Sequence, residues 1–576
     1  MRSINWTVLG IALVGCGQTA DPAEQTTTEP PAEVEPVVLL EPAQQLVRAS
    51  MAIRGTRPDP GDVLAVDADP ELLSTYVDQY METEEYLATI RDMHAELLRM
   101  RAAVVLLPPE AALEGERGID IHRAIVEEPL QLISHIVSND LPYTDIVTAD
   151  YSMTSRLGAP LWGADFDPSG ADWQVVRYGD DRPAGGILSS NGMWVRHNSN
   201  GSNYHRARAN TISRALLCND FLDNDVPITG SVDLSDDAAV AHAVENQAEC
   251  VSCHQSLDPL AAHMWGFHKD LNFFLVQNAF QAGCNVGLGS VCYPIQVYQA
   301  RTADDWLEKG LRAPGYFGSD SGDVGDLGAH LAGDSRFSMC TARRFYGYLT
   351  QTEADTVPLE IVAALEETLV SSGFDAKALT KAIVMSEPFL AQSGGERPED
   401  IVGIQVVRPE QFSRSVAAAT GFTWVMNADE DRCESRGRGC WGDTDILADD
   451  AWGYRTIYGG IDGNRVTQPT HTMAPAKALV HQALAAEAAN FLVDTDFGSP
   501  NPRLLTISAA NTEESTVRNQ LVDLHLALFG EIVGSDSAEV DASYALFSAA
   551  LATRDPAAAW RTTATGLLQD PSFIFY

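Results

Sequence analysis

The sequence predicts a mainly α, multi-domain protein in which helical units alternate with loop-rich insertions. Three observations support this. Apolar residues recur at three- and four-residue spacing in many stretches, strand patterns are few and short, and 576 residues exceed one ordinary hydrophobic core. Hydrophobic residues make up 45% of the chain, enough for most of it to pack into globules. No internal repeat of fixed period is visible.

The first element is an address. Residues 1–16 contain one basic residue, Arg2, then the apolar stretch Trp6 to Gly15, then Cys16. As a helix that stretch would span about 15 Å, half a hydrocarbon core, so it reads as an export signal and not as a membrane span. Leu13-Val14-Gly15-Cys16 resembles the lipobox of bacterial lipoproteins. The resemblance implies cleavage before Cys16 and lipidation of that residue. Residue 18 is Gln and not Asp, which by resemblance to lipoprotein sorting signals directs the chain to the outer membrane. Residues 17–45 read as a Pro/Thr-rich acidic tether, too polar to offset its own ordering entropy. Elsewhere there is no run of eighteen apolar residues, so the expected membrane contact is the lipid anchor alone. The formal charge of −42 repels phosphate backbones and excludes nucleic acid as a partner.

Residues 46–183 read as a helical domain. Asp69-Pro70 has the form of an N-cap followed by Pro at the first helical position. Leu72, Leu73, Tyr76, Val77 and Tyr80 follow at helical spacing. A second helix carries Leu87, Ile90, Leu97 and Leu98. A third starts near Glu127-Glu128-Pro129 and aligns Leu130, Ile133, Ile136 and Val137, with both glutamates where the helix dipole favours negative charge. Gly158 to Gly186 reads as a loop-rich junction. In residues 184–395, helices are expected over Arg206 to Cys218 and Asp236 to Ala248, with an irregular stretch at 284–325. Residues 396–576 form a mostly helical C-terminal domain, with helices near 475–493, 513–529 and 541–568.

Cys250-Val251-Ser252-Cys253-His254 is the most specific pattern in the chain. Two thiols three positions apart on a helical turn can reach both vinyl groups of one porphyrin, and the next histidine then faces the iron. Random placement of 9 cysteines and 13 histidines would produce this pattern about 0.003 times per chain of this length. Residues 184–395 therefore read as a c-type haem segment, with Cys250 and Cys253 attaching haem c and His254 as proximal iron ligand. A Cys250–Cys253 disulfide, a thioredoxin-like redox pair and a zinc site are the competing readings of the same cysteines. A carbonyl near the turn at Asp258-Pro259 is the expected acceptor for the other ring N–H of His254. Trp265, Phe267, Phe273 and Phe274 are candidates to wall the porphyrin, or core. Met264, Met339, His263, His268 and His330 are candidate distal ligands, with Met264 and Met339 favoured for an electron carrier because a Met ligand raises the potential.

Several segments together resemble the secreted cytochrome-like proteins of planctomycetes and myxobacteria that carry the domains of unknown function 1592, 1588 and 1585. These are Glu127 to Leu130 through Thr148 to Tyr151, Arg206 to Asn210 leading to Arg214 to Cys218, Cys250 to Leu260, and Asp334 to Tyr346. The resemblance covers roughly residues 65–395 and is weaker at Tyr458 to Asp462. It implies a haem-bearing exported protein and supplies no substrate.

Cys16 and the haem pair leave Cys218, Cys284, Cys292, Cys340, Cys433 and Cys440. An even number in an exported chain predicts disulfides. Short spacing favours Cys284–Cys292 and Cys433–Cys440, which leaves Cys218–Cys340 to brace the haem pocket. Gly437-Arg438-Gly439-Cys440-Trp441-Gly442 matches a dinucleotide-binding glycine pattern, but no strand precedes it. Asp429, Asp431, Asp443 and Asp445 lack EF-hand spacing. His-Glu-x-x-His and Gly-x-Ser-x-Gly are absent, which removes two common hydrolase readings. The expected function is an exported, lipid-anchored c-type cytochrome that exchanges electrons with a redox partner protein. The alternatives are a haem oxidoreductase with an open distal site acting on peroxide or a small substrate, and an anchored binding protein with structural haem.

Overall fold

The computed structural model describes residues 35–101, 118–200, 203–223, 235–269, 294–395, 397–426, 444–448 and 453–576, with isolated positions at 113, 116, 232 and 233. It is 58% helix and 5% strand, in agreement with the mainly α expectation. The strands form two-stranded pairs, such as Ser152–Ser155 against Trp173–Val176. That pair, with the short helix Gly158–Trp162, partly fills the segment expected to be only loop.

Helix α1 (Pro42–Arg54) opens on a proline whose fixed φ suits the first helical position. It stops at Gly55, whose φ of 68° is left-handed and whose N–H bonds the Met51 carbonyl. This helix starts inside the segment read as tether, which extends to residue 45. Val38–Leu39 already pairs antiparallel with Ala391–Ser393, because the apolar run from Val37 to Leu40 has a strand to join. Helices α2 (Leu73–Tyr80), α3 (Glu84–Leu97) and α4 (Glu128–Ser138) follow. Their expected apolar stripes are largely buried, including Leu73, Val77, Tyr80, Ile90, Leu130, Ile133, Ile136 and Val137. The two glutamates at the start of α4 have separate partners. Glu127 pairs with Arg101, while Glu128 is buried and accepts from Ser152, Ser190 and two backbone N–H groups. Burial, partly offset by Arg182 and these hydrogen bonds, pushes its carboxyl up to about 7.

Helices α5 (Arg206–Leu216), α6 (Asp237–Asn246), α7 (Ala248–Ala262), α8 (Val324–Ala332) and α9 (Ser335–Thr350) build the next stretch. Asp236 starts α6 by accepting from the N–H groups of Ala238 and Ala239. Gln247, in extended conformation, separates α6 from α7, so the motif at Cys250 lies in the first turn of a new helix. One hydrophobic core draws on residues from Ala43 to Val402, including Leu46, Ile133, Trp194, Met264 and Phe345. It runs without interruption across the boundary expected at 183/184.

A second core lies among α10 (Pro409–Thr420), α11 (Pro475–Asp496), α12 (Glu514–Phe529), α13 (Ala538–Leu551) and α14 (Pro556–Leu568). The helical stretch expected over 541–568 is thus two helices. Asp555 accepts from the Ala558 N–H and Pro556 starts the second of them. Helix α1 serves both cores. Leu46, Ala49 and Ile53 enter the first, and Val47 and Met51 enter the second. A helix buried on two faces is a packing element between layers.

Candidate haem-attachment site

Cys250, Cys253 and His254 lie on α7 at positions that share one face, within an arc of about 100°. All three are partly exposed, and the two cysteines are free thiols. Their side chains do not form the disulfide weighed from the sequence. Among the described residues, no three His, Cys, Asp or Glu side chains converge on a point that could hold a metal ion.

Asp258 occupies the next turn. His254 donates its Nδ1–H to Asp258 Oδ1 at 2.8 Å, since an ionised carboxylate only accepts. Arg206, at the start of α5, holds the same carboxylate with two bonds, Nε to Oδ1 at 2.7 Å and Nη2 to Oδ2 at 3.1 Å. Burial raises the Asp258 carboxyl, but the bonds from His254 and Arg206 outweigh it and keep the group below the ordinary carboxylate range. The imidazole is thereby fixed in one tautomer, with the lone pair on Nε2.

This differs from the expected backbone carbonyl. The chain does not turn at Asp258-Pro259 but stays helical to Ala262, with Pro259 inside the last turns. Helical continuation puts the side chain four residues on beside His254, and so a carboxylate takes the role. Gly315 lies close over the proline: a Cβ there would meet Pro259 Cβ at 3.2 Å. The i, i+4 spacing of His and Asp was the available sequence signal for Asp258. Arg206 had no local signal, since it is 52 residues away.

Beside this clamp, Tyr204 stacks on Trp265 at 6.1 Å, the Arg206 guanidinium lies 5.5 Å from the Tyr204 ring, and Lys269 lies 4.0 Å from the Trp265 ring. Phe267 is buried against Trp194 and Tyr298, as core. Phe273 and Phe274 lie outside the described residues.

The candidate distal ligands are dispersed. Met264 is completely buried in the first core, just past the end of α7 and about 15 Å along its axis from His254. His263 uses both ring nitrogens, Nδ1 with the Leu260 carbonyl at 3.1 Å and Nε2 with Ser321 at 2.8 Å. His330 stacks on Tyr316 at 5.0 Å. His268 supplies its carbonyl to Arg208. Met339 is partly buried on α9, which packs against α5, and α5 packs against α7.

The Cys218–Cys340 disulfide is formed, with Cα atoms 5.4 Å apart. It joins the end of α5 to α9, so the helix that carries Arg206 is held at both ends. Cys16, Cys284, Cys292, Cys433 and Cys440 lie outside the described residues, as do the glycine pattern at 437–442 and Asp429, Asp431 and Asp443. Asp445 accepts from Ser413 and from the Leu447 N–H.

No protein-family model, curated protein or solved structure matches this chain. The site is therefore interpreted from its own chemistry. Two free thiols and an imidazole on one helix face, with the imidazole oriented from behind by a carboxylate, fit the donor set that a c-type haem requires. No helix among the described residues is long and apolar enough to cross a membrane.

Proposed function

We propose that this protein is an exported, lipid-anchored c-type cytochrome that transfers electrons. The carrying observation is the His254–Asp258 bond. A histidine whose Nδ1–H is already committed presents Nε2 alone, which is the arrangement that second-shell carboxylates impose on metal-ligating histidines. Cys250 and Cys253 would form the thioethers, and His254 would ligate iron. A bound haem would supply a one-electron Fe(III)/Fe(II) couple. Asp258 orients the imidazole, and Arg206 anchors that carboxylate from its other side. Cys16 would carry the lipid and hold the chain at the outer membrane. A formal charge of −42 favours a basic redox partner.

A second reading is a haem oxidoreductase with an open distal site. It draws on the distal candidates, because Met264 is sealed in the core and His263 is already hydrogen-bonded at both nitrogens. One experiment tests both readings: the optical spectrum of the purified, secreted protein, reduced minus oxidised. A low-spin spectrum with a Met-sulfur charge-transfer band supports the carrier. A high-spin spectrum that shifts with cyanide or peroxide supports the oxidoreductase. A protein purified from a haem c-assembling host without covalent haem would overturn both.

A further inference from the structure

A cavity of about 500 Å³ lies between α3, α5, α9 and the segment Thr467 to Thr472, lined in part by Arg214, Arg344 and Arg408. We propose that it binds a small dianionic organic molecule, a dicarboxylate or a phosphate monoester. Its arginines are held by backbone carbonyls. Arg214 donates to Leu97 O at 3.1 Å, Arg344 to Arg214 O at 3.0 Å, and Arg408 to Tyr348 O at 3.3 Å. A carbonyl orients a guanidinium without cancelling its charge, so Arg214 and Arg344 present a positive face before any ligand arrives, while Arg408 is also paired with Glu96.

Like charge adds to this: Arg99 acts on Arg214, Arg344 and Arg196, and Arg343 acts on Arg344. Among the described residues, none of Arg99, Arg196, Arg214, Arg343 and Arg344 has a carboxylate at ion-pair distance. Acidic residues outnumber basic ones 80 to 38 in this chain, so an arginine cluster without carboxylate partners is not a shortage of acids. The Nε–H groups of Arg99, Arg343, Arg344 and Arg408 are buried and have no acceptor. Arg408 is itself 5% exposed and lines the cavity. Buried donors without acceptors are uncommon in folded proteins, and two of these four arginines, Arg344 and Arg408, line the cavity. Burial and the neighbouring Arg99 and Arg344 push the Arg214 guanidinium down to about 10, partly opposed by Asp220 and Asp223.

The cavity's acids are unevenly placed, so that Arg214 and Arg344 have no carboxylate at ion-pair distance among the described residues. Glu96 is engaged with Arg408 at 2.7 Å, and Glu353 and Asp355 are exposed to water at the rim. The planar fork of arginine fits carboxylate and phosphate oxygens, and Met93 and Leu97 offer apolar surface to a carbon skeleton. The volume is of the size that small-molecule sites occupy and exceeds what a bare inorganic anion fills.

Isothermal titration of the purified holoprotein at fixed ionic strength tests this, with succinate, citrate, glycerol 3-phosphate, inorganic phosphate and chloride as probes. The expected result is sub-millimolar binding of a dicarboxylate or of the phosphate ester, tighter than inorganic phosphate and at least tenfold weaker in Arg344→Gln. Which organic probe binds decides between the two sources of charge. In parallel, phenylglyoxal labelling of the wild-type protein reads Arg214 and Arg344 by mass spectrometry, and the bound ligand is expected to protect both. Binding of no organic probe below 10 mM overturns the proposal, as does equal labelling with and without ligand. Neither readout depends on haem, so its failure is separate from failure of the cytochrome reading.

Discussion

His254 Nδ1 and Asp258 Oδ1 lie 2.8 Å apart, one turn apart on α7, and Arg206 grips the far side of the same carboxylate. The three side chains form a chain of charge-assisted bonds that ends at His254. Replacing the carboxylate by a neutral amide keeps the shape and removes the charge. Asp258→Asn is therefore expected to retain covalent haem while its reduction potential rises, because removing a negative charge behind the ligand stabilises Fe(III) less. A spectroelectrochemical titration reads this, and an unchanged potential would show that Asp258 does not act on the iron.

Cys250 and Cys253 are separate thiols on one helix face. Cys253→Ala is expected to leave one thioether. The pyridine haemochrome band of the denatured variant should then move to the position of a haem with one intact vinyl group. A spectrum identical to that of the wild type would rule out attachment through Cys253.

The Cys218–Cys340 disulfide closes a separation of 122 residues that contains the whole motif. In the chain-entropy account such a link stabilises mainly by restricting the unfolded state, typically by about 2–4 kcal/mol. The double variant Cys218→Ser/Cys340→Ser should lower unfolding stability by that amount in a urea titration. It should also broaden the haem spectrum, since α5 carries Arg206 at one end and adjoins this link at the other.

His94 is buried, with Nδ1 2.7 Å from the Ile90 carbonyl and Nε2 2.7 Å from the Tyr143 hydroxyl. Burial, only partly offset by the Ile90 bond, pushes its pKa down to about 4. The unfolded chain then binds a proton near pH 6.5 that the folded chain refuses, so stability is full above that pH and falls as pH drops towards 4. This single group should remove about 3 kcal/mol by pH 4. Urea midpoints measured between pH 7 and pH 4.5 should fall steadily for the wild type and less steeply for His94→Gln. Parallel slopes would show that His94 does not contribute.

Much of the helical framework was legible because its signals are local. Asp69-Pro70 starts a helical turn, with Asp69 accepting the Glu71 N–H, and Leu130, Ile133, Ile136 and Val137 line one face by period alone. The ends were less legible. The tether reading extends to residue 45, whereas Val38 and Leu39 pair with Ala391–Ser393, a partner about 350 residues away that local composition does not reveal. Pro259 suggested a turn, but packing under Gly315 and the pairing of Asp258 accompany a helix that continues past it.

The sequence by itself determined the helical class, the spacing of Cys250, Cys253 and His254, and the acidity of the surface, because each depends on residue identity and short-range order. Tertiary structure alone decided that Arg206 reaches Asp258, that Met264 is sealed in the core, that one core spans 183/184, and that arginines from three segments line one cavity. Periodicity records which face of a helix is covered. It carries no information about which distant side chain does the covering, and the chemistry of this site depends on that.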